Sequence, residues 1–354
     1  SLSAGQGFIE RRYLPCTDSR IGGGTSDSCW YVQNATISLN GHASELVPIN
    51  GSVASGQNSF TEWRLKDDPD WLVERVNSPS GDWWASEHWK VTTPEGMIYW
   101  FGREDESQNS RLVRPLRGLN SGDPCYSRGN KLCVTAGVAD MPYRWLLDKV
   151  EDPFGNVMVY KYEVTENRAR TLGSGYSAVT YDMNAVLSEI LYGKHAPAAP
   201  ATSLITGYRD RVVFTYVKRC TGELWTAQDV SCPTVSNANG TSYPDVPTDL
   251  YCPSGNCFKD VSFFSIKRLA VITTQTAPDG AAWVNVNQWR LFHSLPDPGD
   301  GGNEKLWLYS IYRVTPTSPP PVYVTPLDLG VEFGGEPLQN RRDGHPAGGM
   351  PYMN

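Results

Sequence analysis

A chain of 354 residues with 40% hydrophobic and 19% charged residues has the apolar content for a large core, which argues against a disordered polypeptide. Its net charge of −7 and the lack of a basic stripe argue against nucleic-acid and anionic-membrane partners. Plentiful glycine (33), proline (26), tyrosine (18) and tryptophan (12) favour frequent turns and β-sheet over helix.

Residues 1–62 are polar and rich in Gly and Ser, and Ser1–Gly5 looks like a processed end or the start of a fragment. Residues 30–32 and 35–41 read as strands, followed by 45–47 and 60–65, while Gly22-Gly23-Gly24 reads as a flexible turn. The next section, to residue 102, is dense in aromatics. Its residues 73–76 form a strand, 78–82 a turn, and 89–101 a hairpin around Pro94-Glu95-Gly96. Trp83, Trp84, Trp89 and Trp100 fall here, and core packing is their first reading because Trp buries large areas. The alternative is a sugar-stacking platform. A glycosidase would also need two placed carboxylates. Glu87 is the nearest candidate and reads as a solvent-facing hairpin residue.

Residues 103–144 form an insertion, with 103–110 as a solvated loop and Cys125/Cys133 closing a second loop. The clearest hairpin comes next, over 145–163. Its two arms alternate with a period of two around Asp152-Pro153-Phe154-Gly155-Asn156, where Pro presets φ and Gly accepts φ > 0. A polar loop follows, then a strand over 186–192 ended by Gly193, a Pro/Ala linker at 196–202 and a strand over 211–217. Residues 220–260 are poor in apolar side chains and need staples to stay ordered. Strands resume at 263–275, 283–295 and 306–313, with a third Pro/Asp/Gly turn at 277–280. Residues 67–70 and 297–304 are acidic turns, and the latter lacks the EF-hand order of oxygen ligands. Residues 315–321 are a polyproline-type linker, and the tail to Asn354 looks like an unfinished structure.

The eight cysteines, Cys16, Cys29, Cys125, Cys133, Cys220, Cys232, Cys252 and Cys257, form four pairs of sequence neighbours. That spacing suits local disulfides and an oxidising, extracellular setting, although eight cysteines allow many connectivities. Zinc is disfavoured, since there is no C-x₂-C and no histidine at ligand spacing. Sequons stand at Asn34, Asn50 and Asn239. No apolar run has membrane-spanning length, which predicts no membrane insertion. The five histidines, the glycines and the serines form no metalloprotease, phosphate-cradle, dinucleotide or nucleophile-elbow motif. The reading is therefore no enzyme, no cofactor and no metal.

Asp152-Pro153-Phe154-Gly155-Asn156 followed by Tyr160-Lys161-Tyr162 resembles the Asp-x-x-Gly-Asn…Tyr-x-Tyr unit of RHS/YD-repeat proteins. Further segments follow in the order seen in large secreted actinobacterial members: Trp89…Gly102, the Cys125…Cys133 loop, Tyr143–Asn156, Leu187–Gly193, Arg211–Phe214, Lys267–Thr274 and Leu306–Leu308. Pro337–Asp343 is similar to the family's lead into its main repeat array. The resemblance covers roughly residues 63–340 and implies a β-spiral shell, part of a cocoon around a C-terminal toxin or effector. The family's autoproteolytic segment and its long run of regular repeats are not recognisable here. The chain then resembles the N-terminal, pre-repeat part of such a protein and carries neither protease nor toxin.

The expectations are an all-β fold of antiparallel hairpins in an extended β-spiral or shell-like sheet, with disulfide-closed loops. It divides into a polar β segment (1–62), a hairpin scaffold (63–314) with Cys-rich insertions at 103–144 and 220–260, and a Pro-rich linker and tail (315–354). The expected role is a secreted scaffold that encloses or presents a partner or toxin polypeptide, or mediates cell-surface contact. Its partner would be a downstream shell or toxin segment of the same polypeptide, or copies of itself. The rivals are a module or glycosidase recognising a cell-surface glycan through the 83–100 aromatics, and a self-assembling extracellular structural protein.

Overall fold

The computed structural model describes residues 7–50, 62–67, 70–77, 82–106, 108–171, 178–195, 207–224, 231–278, 282–298, 302–314 and 330–335. The expectations for the first five residues, for 78–81, for the 196–202 and 315–321 linkers and for most of the tail lie outside the described residues. The chain is all-β, built from antiparallel hairpins with disulfide-closed loops. All four cysteine pairs are the sequence-neighbour pairs: Cys16–Cys29, Cys125–Cys133, Cys220–Cys232 and Cys252–Cys257.

The strands are β1 (Phe8–Glu10), β2 (Leu14–Pro15), β3 (Ser28–Cys29), β4 (Ala35–Leu39), β5 (His42–Asn50), β6 (Glu62–Leu65) and β7 (Leu72–Val76). Then come β8 (His88–Thr92), β9 (Ile98–Phe101), β10 (Arg111–Arg114), β11 (Val134–Thr135), β12 (Val138–Ala139), β13 (Met141–Glu151), β14 (Asn156–Arg170) and β15 (Ala178–His195). The last five are β16 (Asp210–Lys218), β17 (Lys267–Thr276), β18 (Val284–Ser294), β19 (Trp307–Val314) and β20 (Gly330–Glu332). Contacts group them into two units. The first comprises residues 1–213, 252–264 and 275–284, and the second 214–251, 265–274 and 285–354.

In the first unit eight strands close on themselves. β4, β5, β6, β7, β8 and β9 pair in succession, β9 pairs β13, β13 pairs β1, and β1 pairs β4, all antiparallel. Strands on both sides of residue 62 belong to this one barrel. A barrel of this strand number is narrow enough for its own side chains to fill. Ile9, Trp63, Val73, Trp89, Val91, Phe101 and Trp145 are fully buried. The Trp63 and Trp89 rings meet at 5.4 Å and Trp89 and Trp145 at 5.9 Å, both edge-on, the arrangement their quadrupoles favour.

β13 is the branching element. Tyr143 O and Leu147 N bond on one edge, to Arg11 N and Gly7 O, whereas Leu146 bonds on the other, to Ser110 and Gly102. One edge therefore carries β1 and then β14, and the other carries β10 and then β9. The pairing with β9 slips between Leu147 and Lys149, which places Asp148 in a bulge. The β13–β14 turn has the predicted chemistry. Gly155 sits at φ +82°, and Asp152 Oδ1 accepts hydrogen bonds from Phe154 N and Asn156 N.

Three sequence expectations change here. The polar loop expected after residue 163 is instead the continuation of β14 and β15, paired as far as Arg170 and Ala178. Its polar residues are used by an irregular cover: Asn167 Oδ1 accepts from Cys252 N, and Tyr181 Oη from Ser262 N. Residues 30–32 are not a strand, because the Asn34 side chain bonds both N and O of Arg12 and turns the chain away after β3. Glu87 is not solvent-facing. It lies fully buried, and its two oxygens accept from Arg11 at 2.6 and 3.0 Å.

The second unit is a sheet with a small core of Val217, Ala270 and Val271. β18 and β19 pair over Gln288–Ser294 and Trp307–Val314, and β20 pairs β19 through Ser310, Ile311 and Tyr312. Tyr312 lies flat against Gly330, where an added Cβ would come within 2.2 Å of its ring, so this close pairing requires glycine.

Candidate functional site

Of the tryptophans considered for a sugar platform, Trp83, Trp84 and Trp89 are 4%, 6% and 0% exposed, and offer no ring face to a ligand. Trp83 and Trp84 belong to a cluster with Trp30, Leu116, Met141 and the Cys125–Cys133 bridge. Trp100 is half-buried, and its ring is already occupied by the Arg103 guanidinium at 4.4 Å and the Lys90 ammonium at 5.7 Å. The structure thus buries Trp83, Trp84 and Trp89 and leaves only Trp100 of the four partly exposed, so they form no common surface.

What it does bring together is the 103–113 segment, the long β14–β15 hairpin and β13. The segment leaves the barrel at β9 and returns as β10 on the same edge of β13, so its two ends meet at the β13 bulge. Asp148 closes that gap. Its Oδ2 accepts from Arg103 N at 2.6 Å, Glu104 N at 2.9 Å and Ser110 Oγ at 2.9 Å. Inside the segment, Gln108 Oε1 accepts from Glu106 N, and Gln108 Nε2 donates to Asp105. Tyr208 Oη donates to Glu106 at 3.3 Å. Glu106, Gln108 and Ser110 are all buried, which corrects the expectation of a solvated loop. Eight consecutive polar residues look solvated until a buried carboxylate supplies their backbone partner.

Beside this loop lies a recess of about 560 Å³ lined by Glu104, Arg111, Glu163, Glu166, Asp182 and Ser188, among others. Its positive charge is already engaged: Arg111 Nη2 lies 3.0 Å from Glu104 Oε2. Asp182 accepts from Val113 N at 2.8 Å. Burial pushes its carboxyl up to about 7 against that hydrogen bond, with Glu166 and Glu104 adding to the rise. Burial likewise pushes Asp148 up to about 7, and raises Glu106, where Asp105 adds to it. The recess is thus an acidic surface in which burial raises the Asp182 carboxyl toward neutrality. Sequence reasoning missed it because its members lie on four separate stretches. The signal that could have found the buried loop beside it is Asp148, an acid in an otherwise buried strand.

Among the described residues, one group of potential metal-ligating atoms lies within 4.8 Å, that of Cys125, Cys133 and Asp140. Its two sulfurs are bonded to each other and have no thiolate to offer a metal.

No protein-family model matches the chain, and no curated protein matches its sequence. Solved structures with a similar course include the N-terminal domain of the effector protein SpvB from Salmonella typhimurium strain LT2. That likeness has 13% identity and a TM-score of 0.47, over 88% of this chain and 87% of that one. A Photorhabdus luminescens Tc holotoxin pore (12%, TM-score 0.45, 86% of this chain) and TcdB2-TccC3-TEV (12%, 0.44, 87%) are similar at the same loose level. The chain spans 13% of the length of each of those two.

Proposed function

We propose that this chain is a secreted, non-catalytic β-scaffold, the shell part of an RHS/YD-type protein that encloses or presents a partner or toxin polypeptide. The observation that carries the reading is the open end of the second unit's sheet. β20 is three exposed residues, paired through β19 on one edge, and its other edge has no strand among the described residues. Val331, Trp307, Tyr309 and Phe333 are 57%, 42%, 37% and 37% exposed there. An uncovered edge beside an apolar face is a template for a further strand. A neighbouring polypeptide segment, or a second copy, is what such an edge takes. The ordered set of RHS-like segments supports the first of these, and four disulfides support an oxidising, extracellular setting. No described helix is long and apolar enough to cross a membrane.

The test is the intact mass of the native polypeptide from its source, with and without reductant. A chain far heavier than 39.2 kDa is the expected result, with the added mass as the covering segment. A native chain near 39.2 kDa that stays monomeric in sedimentation, with its edge uncovered, would sink the proposal.

A further inference from the structure

Among the described residues, the barrel interior holds one positive charge more than its connected side chains neutralise. Arg11 and Glu87 form a closed pair, with both carboxylate oxygens taken by the same guanidinium. Burial alone would lower the Arg11 pKa, but Glu87 and Tyr13 outweigh it and hold it above its ordinary value. Arg75 has no such partner. It lies on β7, two residues from the buried Val73, and is 2% exposed. Its Nη1 donates to the neutral side-chain oxygen of Gln33, and its guanidinium lies 5.2 Å from the Trp83 ring centre. Its Nε and Nη2 are buried and have no hydrogen-bond partner.

Arginine does not escape this by losing its proton at accessible pH. Burial lowers it to about 10, with Glu87 opposing and Arg11 reinforcing the shift, so it stays charged at neutrality. A buried charge without a counter-charge is strongly unfavourable. Nε–H and Nη2–H form one edge of the guanidinium fork, where two parallel donors grip a single anion. Trp89 stands directly across the ladder from Arg75, and its indole Nε1 is likewise buried without an acceptor. Directly opposed residues in an antiparallel pair are near neighbours. Among the described residues, the site has donors, an excess positive charge and no acceptor for Arg75 Nε, Arg75 Nη2 and Trp89 Nε1.

We propose that a small inorganic anion, chloride in a physiological medium, is bound inside the barrel by Arg75 Nε and Nη2, next to Trp89. The near-complete burial of Arg75 limits the ligand to an ion of one or a few atoms. This site is independent of the sheet edge discussed above and stands whether or not that edge is covered.

The experiment titrates the folded protein with sodium bromide against sodium gluconate at constant ionic strength, following tryptophan fluorescence, and repeats the series on Arg75→Met. Bromide held beside Trp83 and Trp89 quenches at saturable occupancy, whereas collisions from solvent quench linearly. The expected result is a saturable component in the wild type, lost in Arg75→Met, and a wild-type Tm that rises with chloride but not with gluconate. Purely linear quenching with equal Tm in the two salts overturns the proposal. So does a saturable component that survives in Arg75→Met, because the anion would then sit elsewhere. If the variant does not fold, the wild-type contrast between chloride and gluconate still decides.

Discussion

Two polar, irregular stretches that look alike in sequence are ordered by different physics. Residues 231–250 are held by the Cys220–Cys232 bridge, by the Arg219–Asp245 pair and by Tyr243 Oη donating to Pro233 O. Residues 103–106 and 108–110 have no covalent tie and are held by one buried carboxylate, Asp148, with Gln108 and Glu106 sealed beneath the surface. The covalent staple acts mainly by restricting the unfolded chain. The carboxylate acts in the folded state and depends on its own protonation. Order that looks the same therefore responds to different reagents: reduction for one, pH for the other.

The most damaging way to break the comparison is Asp148→Ala at pH 5. Two backbone N–H groups and a serine hydroxyl lose their buried acceptor, an expected loss of about 4 kcal/mol in urea unfolding. Removing the staple with Cys220→Ala and Cys232→Ala together is expected to cost about 3 kcal/mol for its 12-residue separation. Hydrogen exchange should localise that loss to amides around 235–250 and leave Trp63 and Trp89 as protected as before.

The third prediction separates the two mechanisms by pH. Asp148 is raised in the fold from 3.8 to about 7, so its contribution is present at low pH and is lost as pH rises toward 7. Asp182 is raised as well, but it is common to wild type and variant and cancels in their difference. The stability gap between wild type and Asp148→Ala should therefore narrow by about 2 kcal/mol between pH 5 and pH 8. The gap for the disulfide variant should stay flat. A flat gap for both would mean that Asp148 is ionised throughout and that burial does not govern it.

The smallest effect uses a third carboxylate in a similar structural role but in solvent. Asp152→Ala removes an acceptor from Phe154 N and Asn156 N at an exposed turn, where water replaces it. The expected cost is about 1 kcal/mol, read from the urea midpoint.

The legible parts of this molecule are those whose cause is local. The 89–101 and 145–163 hairpins rest on alternation and on Pro, Gly and Asp at fixed offsets. The four bridges join cysteines that are neighbours in sequence. Closure of the barrel was not legible, because it depends on Ile9 meeting Trp145, and no periodicity encodes a partner so far away. Glu87 and the 103–110 loop were misread for the same reason. A charged residue reads as exposed unless its partner is known, and Arg11 and Asp148 lie 76 residues from Glu87 and 38 from Ser110. The continuation of β14 and β15 was missed although Val179, Tyr181, Met183 and Ala185 alternate with polar residues and are buried, because the polar run after residue 163 dominated the reading.

The four-partner geometry of β13 also fixes an order of events in time. The barrel strands from β1 to β9 are complete by Phe101, yet the ring cannot shut until Glu151 has been made. At typical synthesis rates of roughly 5–20 residues per second, those intervening residues take on the order of several seconds. Through that interval the nascent sheet has two unfilled sides, and its earliest residues wait for a strand not yet translated. Such a dominance of distant pairings makes for slow folding. A chain of this design closes its barrel only after its middle has been made, so a ribosome-bound fragment that ends before β13 cannot complete the ring.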